Sequence, residues 1–168
     1  MIWLYTHPEW VLALVLAASA VSAYGFAGEM AHAGRRFGTL NTNVVSGEVD
    51  KLRNSRWHDF GLGLRIWVGG LIGLAFGQMT TQFPEERLLM TWGLTWLVSF
   101  CFMSLLFDPI FNLKFGQAWG YLGDTSDVDR YVAMLGRDDL NDQERAVWVT
   151  LAKLLAVVVA CFLWWWLI

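Results

Sequence analysis

The sequence predicts an all-α, polytopic integral membrane protein with four transmembrane helices and short interfacial helices on its cytoplasmic side. Four apolar runs are long enough to cross a bilayer. Charged residues make up only 16% of the chain, against about 25% in a typical soluble domain. Trp and Phe each occur eleven times. At 168 residues, we expect a single membrane domain spanning 1–168.

The predicted spans are Trp10–Ala27, Phe60–Met79, Leu88–Phe107 and Ala146–Ile168. At a rise of 1.5 Å per residue they cover about 27–35 Å, which matches a hydrocarbon core of about 30 Å. Helices are favoured over barrel strands because the apolar runs lack the alternation that a barrel strand requires.

Basic residues predict the orientation of the spans. The two long loops, 28–59 and 108–145, hold nine Lys and Arg residues, whereas the opposite side holds only Arg87. The positive-inside rule therefore places both long loops in the cytoplasm and both termini on the outer, periplasmic side. Arg outnumbers Lys by nine to three, a composition that suggests a GC-rich bacterial or phage source, and the expected location is the bacterial inner membrane.

Capping patterns predict helices on the loop side. Ser46–Arg56 is expected to form a short interfacial helix with Ser46 as its N-cap, and Ser126–Leu135 a second one. Asn141 followed by Glu144 predicts a start that runs directly into the fourth span.

The Trp residues are predicted to form an aromatic belt, because their amphipathic rings favour the headgroup region. A stacking site for a quinone or a lipid is the alternative interpretation. The outer group comprises Trp3, Trp10, Trp92, Trp96, Trp164, Trp165 and Trp166, and the inner group comprises Trp57 and Trp148.

Gly69, Gly73 and Gly77 recur every fourth residue in the second span. Such a ridge allows the backbone of another helix to approach closely. The partner is expected either within the chain, where the Ala- and Ser-rich first span is the natural choice, or in a second copy.

Cys101 and Cys161 are expected to differ in depth by more than about 10 Å, too far for a disulfide.

Ionisable residues inside a span are costly and are functional candidates by default. We expect Asp108 to form an ion pair with Arg65 and to cap a new helix that starts before Pro109. Lys153 is expected to extend its amine to the interface.

Two kinds of chemistry remain as alternatives. An interfacial enzyme would use His58 as general base, Asp108 to orient it and Arg65 to hold a lipid or quinone headgroup. A metal site would use Glu29 and His32, a Glu-x-x-His pair, together with His58. Because the pair occurs once and di-iron bundles use it twice, no metal is predicted, and no cofactor either. A bound lipid, quinone or pigment stays open.

An aromatic, Gly-rich segment follows the third span and is too short to cross the membrane. It is predicted to lie in the interface and to act as a docking surface. Its aromatic residues are Phe111, Phe115, Trp119 and Tyr121.

These patterns favour a non-catalytic membrane subunit that packs in a larger complex or homo-oligomer and scaffolds partners or a bound lipid or cofactor. The enzyme is the alternative, and an oligomeric pore or transporter comes third, because the outer halves of the spans hold few polar residues. The expected partners are membrane lipids and other membrane subunits or copies of the chain. A net charge of −3 excludes nucleic acid as a partner.

Overall fold

Four long α-helices make up almost all of the computed structural model, which describes residues 7–37, 48–80, 88–115, 119 and 142–168. The side chains of residues 33–37, 48–59, 80, 115 and 142 are not among those described. The helices are α1 (Pro8–Phe37), α2 (Glu48–Thr80), α3 (Leu88–Phe115) and α4 (Asp142–Leu167).

Each helix contains a stretch long and apolar enough to cross a membrane, which confirms the predicted all-α class with four transmembrane helices but not the separate interfacial helices. The candidate spans are Pro8–His32, Phe60–Met79, Leu88–Lys114 and Gln143–Leu167. The second agrees with its predicted bounds at both ends. The first span extends beyond its predicted bounds at both ends, the third extends at its end, and the fourth starts three residues earlier and ends one residue earlier than predicted.

Helix α3 is the centre of the bundle and packs against α1, α2 and α4. It runs parallel to α1 and antiparallel to α2 and α4. We call the end of the bundle where α1 and α3 finish the long-loop end, and the opposite end the short-loop end. Both α1 and α3 begin at the short-loop end.

The apolar core lies along the buried face of α3. Its main cluster runs from the short-loop end past the middle of the bundle and consists of Val11, Val15, Ala23, Ile72, Val98, Met103, Ala160 and Trp164. A smaller cluster of Ala27, Met30 and Phe107 lies at the long-loop end. Large apolar side chains also cover the outside, for example Trp67 and Leu71 on α2 and Leu155 and Trp166 on α4. Lipid is the solvent for such a surface.

Two predicted helix boundaries are wrong. Helix α3 continues through Pro109 to Phe115, so Asp108 lies inside a helix and does not cap a new one. Membrane helices tolerate an internal Pro because neighbouring groups satisfy the freed backbone carbonyl. Helix α2 begins at Glu48, so the segment predicted as a separate interfacial helix from Ser46 is largely an extension of the second span.

The other two helix predictions on the loop side have different outcomes. Helix α4 begins at Asp142, next to the predicted cap at Asn141, and runs into the span as expected. The predicted helix Ser126–Leu135 lies outside the described residues.

Candidate functional site

A cluster of three ionisable side chains joins α2, α3 and α4 within their spans. Asp108 Oδ1 lies 3.6 Å from an Arg65 guanidinium nitrogen, and Asp108 Oδ2 accepts a hydrogen bond from Lys153 Nζ. The Arg65 side chain is 12% exposed, Lys153 30% and Asp108 42%. We refer to Arg65, Asp108 and Lys153 as the charge cluster. Two cations share one carboxylate, so the cluster carries one net positive charge.

Arg65 is held by two further contacts. Its Nε donates to the carbonyl oxygen of Gly61 one turn earlier, at 3.1 Å. Its guanidinium carbon lies 4.7 Å from the centroid of the Phe107 ring, a cation–π arrangement. These contacts fix the guanidinium beside α3 although its distance to Asp108 is longer than a hydrogen bond.

The placement of Lys153 differs from the expectation that its amine would extend to the interface. Because α3 stays helical through Pro109, Asp108 remains on the helix and faces α4 at the level of Lys153. An ion pair with a nearby carboxylate satisfies the ammonium group locally. The contact between Lys153 and Asp108 is therefore the part of the cluster that the sequence did not predict.

A second cation ties α1 to the end of α3. Lys114 Nζ donates to the carbonyl oxygen of Tyr24 at 3.3 Å and lies 3.5 Å from the centroid of the Tyr24 ring. Gly28 makes room for it, because a Cβ at that position would lie 2.6 Å from Nζ. We call Lys114, Tyr24 and Gly28 the lysine clasp.

Hydroxyl groups form hydrogen bonds across the buried interior. The hydroxyls of Ser19 on α1 and Ser99 on α3 lie 2.8 Å apart, and Ser19 also donates to the carbonyl of Val15 at 2.6 Å. Trp164 Nε1 on α4 donates to Thr95 Oγ1 at 3.0 Å. We refer to Ser19, Thr95, Ser99 and Trp164 as the polar layer.

Sequence reasoning missed the polar layer because none of its members is charged. The available signal was the spacing of Thr91, Thr95 and Ser99, which recur every fourth residue and therefore share one face of α3. All three are buried. Trp164 was predicted for the aromatic belt, but its side chain is 1% exposed and belongs to the core.

The Gly ridge packs against two Trp residues of α3, not against the first span. A Cβ on Gly73 would lie 3.0 Å from the Trp96 backbone nitrogen, and one on Gly77 would lie 3.2 Å from the Trp92 Cα. A Cβ on Gly69 would lie 3.2 Å from the Trp96 indole. Helix α1 instead contacts α2 at Gly61, through Met30.

The same two Trp side chains donate hydrogen bonds to the backbone of α2. Trp92 Nε1 donates to the Gly70 carbonyl at 3.2 Å, and Trp96 Nε1 donates to the Ile66 carbonyl at 3.1 Å. Close approach at glycines thus brings indole donors within reach of α2 carbonyls. Both rings have a packing role within the chain in addition to the belt role that was predicted.

The register of α3 and α4 places the two cysteines at similar depths, contrary to the expectation. Cys101 lies seven residues from Asp108, and Cys161 lies eight residues from Lys153. Starting from the Asp108–Lys153 contact, these separations correspond to about 10 Å and about 12 Å along the two helices. Both thiols are free and pack against the main core cluster.

The predicted metal candidates are not brought together among the described side chains. Glu29 and His32 are exposed on α1, and the side chain of His58 lies outside the described set. Within the described part of the chain, no three His, Cys, Asp or Glu side chains are grouped so that they could hold a metal ion.

The predicted docking residues fall into two groups. Phe111 is part of α3, and its ring stacks on Phe107 with centroids 5.9 Å apart. Trp119 is exposed, and its carbonyl oxygen accepts a hydrogen bond of 3.2 Å from Asn112. The side chains of Phe115 and Tyr121 lie outside those described.

Comparison with protein-family models, curated proteins and solved structures gives no match to this chain.

Proposed function

We propose that the chain is a non-catalytic integral membrane subunit that packs in a larger membrane complex or a homo-oligomer. The observation that supports this function is that both carboxylate oxygens of Asp108 face cations on neighbouring helices. A charged residue kept inside the membrane is then accounted for by helix assembly and does not require a reaction.

The polar groups of the polar layer and the lysine clasp support the same function. Each makes a contact between α3 and another helix: Ser99 with α1, Thr95 with α4 and Lys114 with α1. Interhelical hydrogen bonds of this kind hold membrane bundles together. The described helices pack as a four-helix unit held by these contacts, which suits a scaffold for partners or bound lipid.

The enzyme alternative needs Asp108 to orient His58 while Arg65 binds a headgroup. In the bundle, the two carboxylate oxygens of Asp108 instead face Arg65 on α2 and Lys153 on α4. These contacts favour the scaffold function over the enzyme alternative. A pore or transporter is favoured less, because the polar layer is fully buried between helices.

For its location we propose the bacterial inner membrane, with the long-loop end in the cytoplasm and both termini on the periplasmic side. The nine basic residues of the two long loops against Arg87 alone on the other side support this orientation. Cysteine labelling of intact cells at Thr80 and at Gly123 would test it, in a background in which Cys101 and Cys161 are replaced by Ala.

The function is tested by extracting the tagged full-length chain in mild detergent and, separately, in a membrane-solubilising polymer. We expect native mass spectrometry to give the same assembly, larger than one 19.1 kDa chain, with fixed stoichiometry in both. Asp108→Leu should reduce its yield, and Gly63→Ala, on the open side of α2, should not. A monomer in both media, or a headgroup turnover that Asp108→Leu abolishes in a folded chain, would contradict the proposal.

A further inference from the structure

The described side chains of the charge cluster do not balance in charge. Among these side chains, Asp108 is the only carboxylate in contact with Arg65 and Lys153. Within the described set, one formal positive charge is therefore left over. An uncompensated charge in a low-dielectric medium is unfavourable and attracts a counter-ion.

The depth of the cluster fits a counter-ion from the lipid. Arg65 lies five residues from the start of its candidate span, and Asp108 lies six residues from the end of its own. These separations correspond to about 8–9 Å along the two helices, and Lys153, ten residues from the start of its candidate span, lies about 15 Å along its own helix. Long cationic side chains and local headgroup displacement bridge such depths.

Arg65 also keeps donors for a ligand. Its Nε is bound to Gly61, but its contact with Asp108, at 3.6 Å, is too long for a hydrogen bond. Among the described residues, the terminal guanidinium N–H groups have no hydrogen-bond acceptor, and their geometry matches that of phosphate oxygens. Lys153, 30% exposed, adds a second cation beside it.

We propose that the charge cluster binds the phosphate of an anionic phospholipid, with Arg65 and Lys153 as the ligating residues and Asp108 as the group that spaces them. Basic sites between transmembrane helices are a recognised way to bind anionic headgroups. The site does not depend on a protein partner, so it can be tested in the isolated chain whether or not the proposed subunit function holds.

The test measures lipid binding to the purified full-length chain by native mass spectrometry and its melting temperature by Trp fluorescence. The probes are dioleoylphosphatidylglycerol, dioleoylphosphatidylcholine and inorganic phosphate. We expect one retained phosphatidylglycerol, a higher melting temperature with that lipid than with phosphatidylcholine, and no shift with inorganic phosphate. An equal rise in melting temperature with inorganic phosphate would contradict the proposal that the bound phosphate belongs to a lipid.

Variants distinguish lipid binding at the charge cluster from non-specific attraction of the lipid to positive surface charge. Lys153→Gln should weaken phosphatidylglycerol binding about fivefold, the effect expected for one cation near an anionic headgroup. Lys114→Gln removes an equal charge at the same end, where the lysine clasp already uses it, and should leave binding unchanged. Equal losses in the two variants, or none in Lys153→Gln, would overturn the site.

Asp108→Asn is an independent test, because the expected change in phosphatidylglycerol affinity has the opposite sign. It leaves two cations without their carboxylate, so phosphatidylglycerol should bind more tightly even though the free chain is less stable. A purely structural cluster would lose stability with no gain in lipid affinity, and that result would overturn the proposal. If Lys153→Gln does not fold, the proposal can still be tested with two other variants. Lys153→Arg should retain phosphatidylglycerol binding, and Asp108→Asn should strengthen it.

Discussion

Trp164 Nε1 donates a hydrogen bond to Thr95 Oγ1 across 3.0 Å in the interior of the bundle. Thr95 in turn donates to the carbonyl oxygen of Thr91, at 2.8 Å. The large indole of α4 is therefore anchored to α3 by its one polar atom while its ring fills the core. This anchoring distinguishes Trp164 from its neighbours Trp165 and Trp166, which are both exposed.

Replacing Trp164 with Phe removes the indole donor and part of the ring. We expect a loss of about 1–3 kcal/mol in unfolding free energy, because an interhelical hydrogen bond contributes about 0.6 kcal/mol and the smaller ring leaves a cavity. Unfolding in SDS-containing mixed micelles measures it. Trp166→Phe, at a side chain that is 72% exposed, is the matched control and should change stability little. Equal losses in both would contradict the core assignment.

Gly73→Ala tests the Gly ridge. The added methyl would lie 3.0 Å from the Trp96 backbone nitrogen and 3.1 Å from the Trp92 carbonyl oxygen, and backbone atoms cannot move aside as a side chain can. We expect destabilisation of about 1–3 kcal/mol from overpacking, measured by the melting temperature in detergent.

Gly63→Ala is the control for the ridge on the same helix. A Cβ at Gly63 meets nothing within 4 Å, so this change should be neutral or slightly stabilising, because Ala favours the helix. If Gly73→Ala proved as harmless as Gly63→Ala, then α2 and α3 would not pack through the ridge.

Gly28→Ala tests the lysine clasp. The new methyl would displace the flexible end of Lys114 from the Tyr24 ring, so the chain should fold but lose about 0.5–2 kcal/mol of cation–π and hydrogen-bond stabilisation. Gly25→Ala, with open space around its Cβ, serves as the comparison. Reductive methylation of lysines, read by mass spectrometry, should modify Lys114 faster in Gly28→Ala alone. An unchanged Lys114 rate would argue against the clasp.

The charge cluster predicts unequal effects of its members. Asp108→Leu leaves two cations without their carboxylate and should cost about 2 kcal/mol or more, moderated by the 42% exposure of Asp108. Lys153→Leu leaves Arg65 still opposite Asp108 and should cost clearly less. Melting temperatures in one detergent compare the two variants. A simple two-residue ion pair between Asp108 and Lys153 would instead give similar losses.

Several features of the site could be predicted from the sequence because they depend on local chemistry. The proximity of Arg65 to Asp108 follows from two opposite charges at similar depth in spans that are consecutive along the chain. The close packing of Gly69, Gly73 and Gly77 follows from their spacing on one helix face. Neither inference required knowledge of which helix neighbours which.

Other features depend on how the helices are arranged. The partner of the Gly ridge, the contact of Lys153 with Asp108 and the burial of Trp164 all follow from the central position of α3. Composition favoured the Ala- and Ser-rich first span as the intramolecular partner of the ridge, but the ridge packs against Trp92 and Trp96 of α3. Trp164 lies between two similar residues whose exposure the sequence could not distinguish.

By itself, the sequence determined that the chain forms four membrane-spanning helices, because hydrocarbon requires each apolar run to satisfy its backbone hydrogen bonds internally. Only the tertiary structure decided that Asp108 stays on a continuous α3 and meets two cations, and that Thr95 meets Trp164. The physical reason is register: the rotation and offset of one helix against another arise from packing over the whole interface, and no single residue encodes them.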